Sequence, residues 1–222
     1  MSDERDYVLG THDDELNRLG LQHAVWRPHC SAAWERAGFT AGQTLLDVGC
    51  GPGWASFDLA QIARERGRVV AVDRSRRFLD ALEAGAAARG LRNIETHERD
   101  LDEQGLPDVQ ADGAWARWVF AFVREPRLLL ERTVGALRSG GTFVTHEYVD
   151  YRTWRLSPRS EAFEEFVREV MASWRFCDRV LSGWAAVDEG AKAPLPSYES
   201  GSWGPQEAAD MLASQGQVWR KP

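Results

Sequence analysis

Residues 44–59 read TLLDVGCGPGWASFDL, and the rest of the chain is arranged around them. Leu45, Leu46 and Val48 make an apolar run that holds a single acid, Asp47, and leads into Gly49-Cys50-Gly51-Pro52-Gly53. Phe57, Leu59 and Ile62 then recur at helical spacing. A buried parallel strand takes consecutive apolar residues. Glycines let the backbone turn sharply and leave room for a ligand where a Cβ would stand. Strand, glycine turn and helix open a nucleotide-binding βαβ unit. An acid within the apolar run is costly to bury without donors, so Asp47 is expected to accept hydrogen bonds from the loop beyond it.

The spacing of the glycines narrows the ligand. A dinucleotide fingerprint, G-x-G-x-x-G, would place its third glycine at residue 54, which is Trp54. A phosphate-binding P-loop requires a lysine that this stretch lacks. What stands is D-x-G-x-G-x-G, which closely resembles motif I of the class I S-adenosylmethionine (SAM)-dependent methyltransferases. The resemblance implies SAM as methyl donor, with Asp47, Gly49, Cys50, Gly51 and Gly53 around it.

Val69-Val70-Ala71-Val72 reads as a second buried strand ending in Asp73, which stands 20 residues beyond Gly53. That is the step from glycine turn to ribose-binding acid in a βαβ nucleotide site. The competing role for Asp73 is capping of the next helix through Ser75. The resemblance favours the ribose role and adds Arg74 beside it. Phe78 and Leu82 mark the inner face of a helix over 75–89. A third, more polar strand over 94–100 leads to Asp100 and Leu101, where the resemblance implies contacts to adenine. Asp100 by itself reads as a turn residue.

Residues 112–120, DGAWARWVF, read as a fourth strand. Arg117 is a charge among Trp115, Trp118 and Phe120. It is either a strand-end arginine with its stem on apolar surface or a group at the carboxyl edge of the sheet, where open α/β folds bind ligands. The resemblance places it between cofactor and substrate. Pro126 starts a helix that ends at Leu137-Arg138-Ser139-Gly140-Gly141, a tight turn into a fifth strand over 142–148. Strands alternating with helices give a Rossmann-like, doubly wound, mostly parallel sheet with helices on both faces.

Residues 1–43 read as an N-terminal helical lid. Leu16, Leu19, His23 and Trp26 form one stripe of a helix over 13–26, Pro28 breaks it, and a second short helix ends at Gly38. The SAM-binding domain spans 44–175 and closes with a helix over 160–174. Residues 176–222 read as an irregular tail, about one-third Gly, Ser and Pro over 182–222, and hold the chain's only lysines, Lys192 and Lys221. The β-hairpin that usually ends the family's sheet is not legible there. The tail reads as a truncated or frame-shifted end that leaves the fifth strand as an exposed edge.

Composition sets the outer bounds. The length of 222 residues suits one domain with a lid. A net charge of −7 argues against a broad nucleic-acid surface. No run is long enough for a membrane span, and the acidic N-terminus does not read as a secretory signal. Cys30, Cys50 and Cys177 lack paired spacing and read as free thiols of a cytoplasmic protein. No metal-ligand spacing is present.

The expected chemistry is methyl transfer from SAM to a small-molecule acceptor. His146, Glu147, Tyr148, His23 and His29 are the candidates for a base, and none is assigned. A SAM-binding protein without turnover is the alternative. An NAD-linked oxidoreductase is disfavoured by Trp54. The acceptor and the oligomeric state are not legible.

Overall fold

A computed structural model of the chain describes residues 13–147, 156–173 and 216–221. In chain order the elements are α1 (Asp13–Ala37), β1 (Thr44–Val48), α2 (Trp54–Ala63), β2 (Arg68–Asp73), α3 (Arg76–Ala88) and β3 (Ile94–Glu98). There follow β4 (Ala111–Arg117), a single 3-10 turn (Phe120–Phe122), α4 (Pro126–Gly135), β5 (Leu137–His146), α5 (Glu161–Ser173) and β6 (Gly216–Arg220). The sheet order is β3-β2-β1-β4-β5-β6. The first five strands are parallel, and β6 runs antiparallel to β5.

The apolar run of β1 is buried on both sides, as its composition requires. Leu45 faces a core built with Val69, Ala71, Trp115 and Val144 under α1, α2 and α3. Leu46 and Val48 face a second core with Val70, Val72, Ala116, Phe143 and Leu129 of α4. The strand order reverses direction between β1 and β4, so their carboxyl ends open a crevice in which a doubly wound sheet takes its ligand.

Three expectations are corrected. Residues 13–37 form one helix with Pro28 inside it, not two helices. Proline removes one backbone donor, and burial of Cys30, Ala33, Trp34 and Ala37 against the sheet carries the helix past that loss. The fifth strand begins at Leu137, ahead of the glycine pair. Gly140, at φ +77°, lies within it, near a register shift between Ala111 and Gly113 of β4. The fifth strand is also not an edge. β6 pairs with it from Thr142↔Arg220 to His146↔Gly216, so one antiparallel strand stands where no hairpin was legible. The pairing continues beyond β6: the Gly140 amide donates to the Lys221 carbonyl, and the Lys221 amide to Gly141. The Lys221 ammonium also donates to the Leu137 carbonyl. The remaining residues of the expected tail, and Tyr148, lie outside the described residues.

Candidate active site

The crevice at the β1–β4 ends is a cavity of about 870 Å³, roofed by Arg18, Leu19 and Gln22 of α1. Its floor is the turn after β1. Gly49, Gly51 and Gly53 all have positive φ, but they serve different ends. A Cβ on Gly49 would lie 2.5 Å from Val119, and one on Gly53 would lie 2.4 Å from Leu82. Those two glycines allow close packing. Around Gly51 a Cβ would meet nothing within 4 Å, so this backbone is open to the cavity.

Asp47 is buried at the end of β1 and accepts a 2.6 Å hydrogen bond from the Ser56 hydroxyl. The donor comes from α2, not from the loop as the sequence suggested. Burial pushes the Asp47 carboxyl up to about 6, opposed by the Ser56 bond and the Arg117 charge. Asp73, at the end of β2, accepts from the Gly51 amide at 2.8 Å through Oδ2 and from the Ser75 amide at 2.9 Å through Oδ1. The carboxylate thus ties the glycine turn to the start of α3, where Ser75 caps the helix. Each oxygen retains further acceptor capacity, and burial raises this carboxyl above the usual range.

Asp100 closes a turn: Oδ1 accepts from the Asp102 amide at 2.9 Å. Leu101 is buried beside it. Arg117 ends β4, and its Nη1 lies 3.1 Å from His23 Nδ1 and 3.6 Å from Cys30 Sγ. Of the ten residues implied by the sequence, Asp47, Gly49, Cys50, Gly51, Asp73, Arg74, Asp100, Leu101 and Arg117 line one cavity. Gly53 does not: it is the αL residue before α2. Burial pushes the Cys50 thiol well above its ordinary range, so it lines the site as a neutral group.

Sequence reasoning missed several lining residues. Trp54, noted only as a departure from a dinucleotide motif, packs edge-on to Phe57 at 5.9 Å and sits where a Cβ on Gly20 would be 2.8 Å from its ring. Helix α1 can pack against Trp54 because residue 20 has no side chain. Trp118 has φ +54°, a strained conformation for a bulky residue that turns its ring toward Arg117, whose guanidinium carbon is 5.0 Å from the ring centre. Phe122 and Val123 complete the outer wall. Trp34 and Trp115 are core residues in edge contact at 5.1 Å, and Trp115 also reaches the cavity lining.

The described base candidates, His23, His29, His146 and Glu147, lie off the cavity. His23, His146 and Glu147 are buried and are not part of its lining. Glu147 Oε1 accepts from the amides of Val119 at 2.8 Å and Phe120 at 3.3 Å. Burial pushes its carboxyl up to about 8. Among the described residues no group of His, Cys, Asp and Glu could hold a metal ion, and no helix is long and apolar enough to cross a membrane.

Two family models match different parts of the chain. Residues 46–145 match the family model described as a methyltransferase domain. Residues 160–220 match that of the C-terminal domain of glucose-6-phosphate dehydrogenase. The chain is 27% identical over 189 residues to protein-L-isoaspartate O-methyltransferase 1 of Rhodopseudomonas palustris, covering 84% of this chain and 74% of that one. It is 40% identical over 58 residues to glucose-6-phosphate 1-dehydrogenase of Gluconobacter oxydans, a quarter of this chain and 11% of that protein. A SAM-dependent methyltransferase from Aquifex aeolicus shares the fold at a TM-score of 0.51 and 23% identity, over 63% of this chain and 76% of that one. The dehydrogenase-like match takes in residues 176–220 of the stretch read as an irregular tail, β6 included.

Proposed function

We propose that this chain, which belongs over residues 46–145 to the class I SAM-dependent methyltransferases, transfers the methyl group of SAM to a small-molecule acceptor held beneath α1. The observation that supports this reading is the single cavity that gathers the glycine turn, Asp73, Asp100 and Arg117 under a helical roof. Its size falls in the usual range for small-molecule sites.

The residues present fit SAM. Gly51 presents backbone with no Cβ in the way. The Asp73 oxygens are fixed by two amides and keep lone pairs for the ribose hydroxyls. Asp100 and Leu101 stand at the adenine end, with Arg74 beside the ribose. Cys50 and Gly49 line the turn, and Arg117 marks the far end beside Asp47. Gly53 contributes by fixing the turn against Leu82. SAM, when bound, supplies an electrophilic methyl on a good leaving group. The chain's part is to bind, orient and exclude water, and proximity can supply most of the rate. None of His23, His146 and Glu147 is assigned as a base, because none lines the cavity.

The outer wall of Leu19, Trp118, Phe122 and Val123 suits an apolar or aromatic acceptor. In this reading the N-terminal residues up to 43 act as a lid and 44–175 form the cofactor-binding domain. A net charge of −7 disfavours a nucleic-acid acceptor. The relative from Rhodopseudomonas is named for a protein acceptor, so peptides belong in the test. A screen for S-adenosylhomocysteine release over small molecules, peptides and RNA tests the proposal. Turnover with small molecules supports it, and turnover confined to peptide or RNA overturns the acceptor class.

One observation favours a second reading, a SAM-binding protein without turnover. Residues 160–220, after β5, match the C-terminal domain of a dehydrogenase. Tight SAM binding with no transfer to any acceptor supports that reading.

A further inference from the structure

We infer that His23 and Asp58, which lie off the cavity, are positioning residues that set the Arg117 guanidinium toward the cofactor. This rests on the proposed SAM site. The guanidinium of Arg117 has donors and no lone pair. Its Nη1 stands 3.1 Å from His23 Nδ1, so Nδ1 must be the acceptor. The ring proton is therefore on Nε2, which donates to Asp58 Oδ2 at 3.0 Å. Asp58 is itself fixed by Arg27, whose Nε and Nη2 donate to its two oxygens at 2.8 and 2.9 Å. Those donors hold the Asp58 carboxyl below its usual range, so it stays ionised.

The chain Arg27–Asp58–His23–Arg117 thus crosses three elements, from α1 to α2, back to α1 and on to β4. Its length in sequence, 94 residues between His23 and Arg117, hides it from any motif. His23 is 5% exposed, so water does not compete for its nitrogens. The network occupies Nη1 alone. Among the described residues Arg117 Nε and Nη2 have no hydrogen-bond partner, and Arg117 lines the cavity. An imidazole held in one tautomer by a carboxylate accepts from one edge of the guanidinium and leaves the other edge aimed into the site. The same network ties α1 to α2 and β4.

A double-mutant cycle tests this, read by calorimetric SAM affinity and by KM for SAM against kcat. His23→Leu and Arg117→Lys should each weaken SAM binding by about tenfold, the loss of one charge-assisted bond. The double variant should lose little more than either single one. His23→Gln, which keeps an acceptor, should recover affinity to within about threefold of wild type. The loss should fall on KM more than on kcat. Additive losses in the double variant, or no recovery with Gln, overturn the inference. If His23→Leu does not fold, the cycle is run with Asp58→Ala and Arg117→Lys, and additive losses overturn the inference. Absence of SAM binding by the wild-type chain would instead refute the proposed cofactor site, so the two failures are distinct.

Discussion

Replacing Glu147 with Gln should reverse part of the pH dependence of stability. Glu147 is 5% exposed at the end of β5, and its carboxyl is pushed up to about 8 from an ordinary 4.5. Its cause is burial, only partly offset by the Val119 and Phe120 amides on Oε1. Oε2 has no partner among the described residues. A raised folded-state value means that the folded chain holds a proton which the unfolded chain releases. The stabilisation is therefore full below about pH 4.5 and is lost as pH rises toward 8. Each proton of difference changes stability by about 1.4 kcal/mol per pH unit, which gives about 3 kcal/mol between pH 5 and 8. Gln keeps the carbonyl acceptor for both amides and carries no titrating proton. Urea unfolding followed by tryptophan fluorescence at pH 5, 6.5 and 8 reads the difference. The wild type should lose stability across that window by about 3 kcal/mol relative to Glu147→Gln, with the variant the more stable protein at pH 8. Parallel curves for the two proteins would refute the assignment of a buried, neutral Glu147.

Three further outcomes follow from the same geometry. Gly53→Ala places a Cβ 2.4 Å from Leu82 Cγ at φ +85°, and should cost about 1–3 kcal/mol in urea unfolding; an unchanged midpoint contradicts the packing role. Deleting residues 216–222 uncovers the β5 edge, and should lower stability by about 3 kcal/mol and promote aggregation seen by light scattering. A monodisperse shortened chain of full stability would show that β6 is dispensable. Gly20→Val should push α1 away from Trp54, whose ring is 2.8 Å from the added Cβ, and weaken SAM binding about tenfold or more; unchanged affinity would remove the lid from the account.

The first half of the sheet was legible because its signals are local. Leu45, Leu46 and Val48 are consecutive and buried, the glycine turn follows at once, and Asp73 falls at the expected step. Both roles weighed for Asp73 have a basis, since its carboxylate holds the Ser75 amide and also faces the cavity. Long-range pairings were not legible. β6 is a short strand, GQVWR, whose partner lies some 75 residues earlier, and strand pairing at that distance leaves no local period. Pro28 was overvalued as a break because the apolar contacts that sustain α1 come from the sheet and α2, not from the helix. His23 stood out in a helical stripe, but its meaning came from Asp58 and Arg117, 35 and 94 residues away. Gly140 and Gly141 read as a tight turn ahead of the strand but lie inside it, since an irregular strand and a tight turn use the same residues.

In the proposed function the cavity beneath α1 is a SAM site anchored by Asp73. Isothermal titration of the full chain with SAM, beside Asp73→Ala, tests it most directly. One SAM should bind per chain, with an affinity at least about tenfold weaker in the variant, from lost ribose hydrogen bonds and a loosened Gly51 amide. No heat with the wild type, or equal affinity in the two proteins, would contradict it.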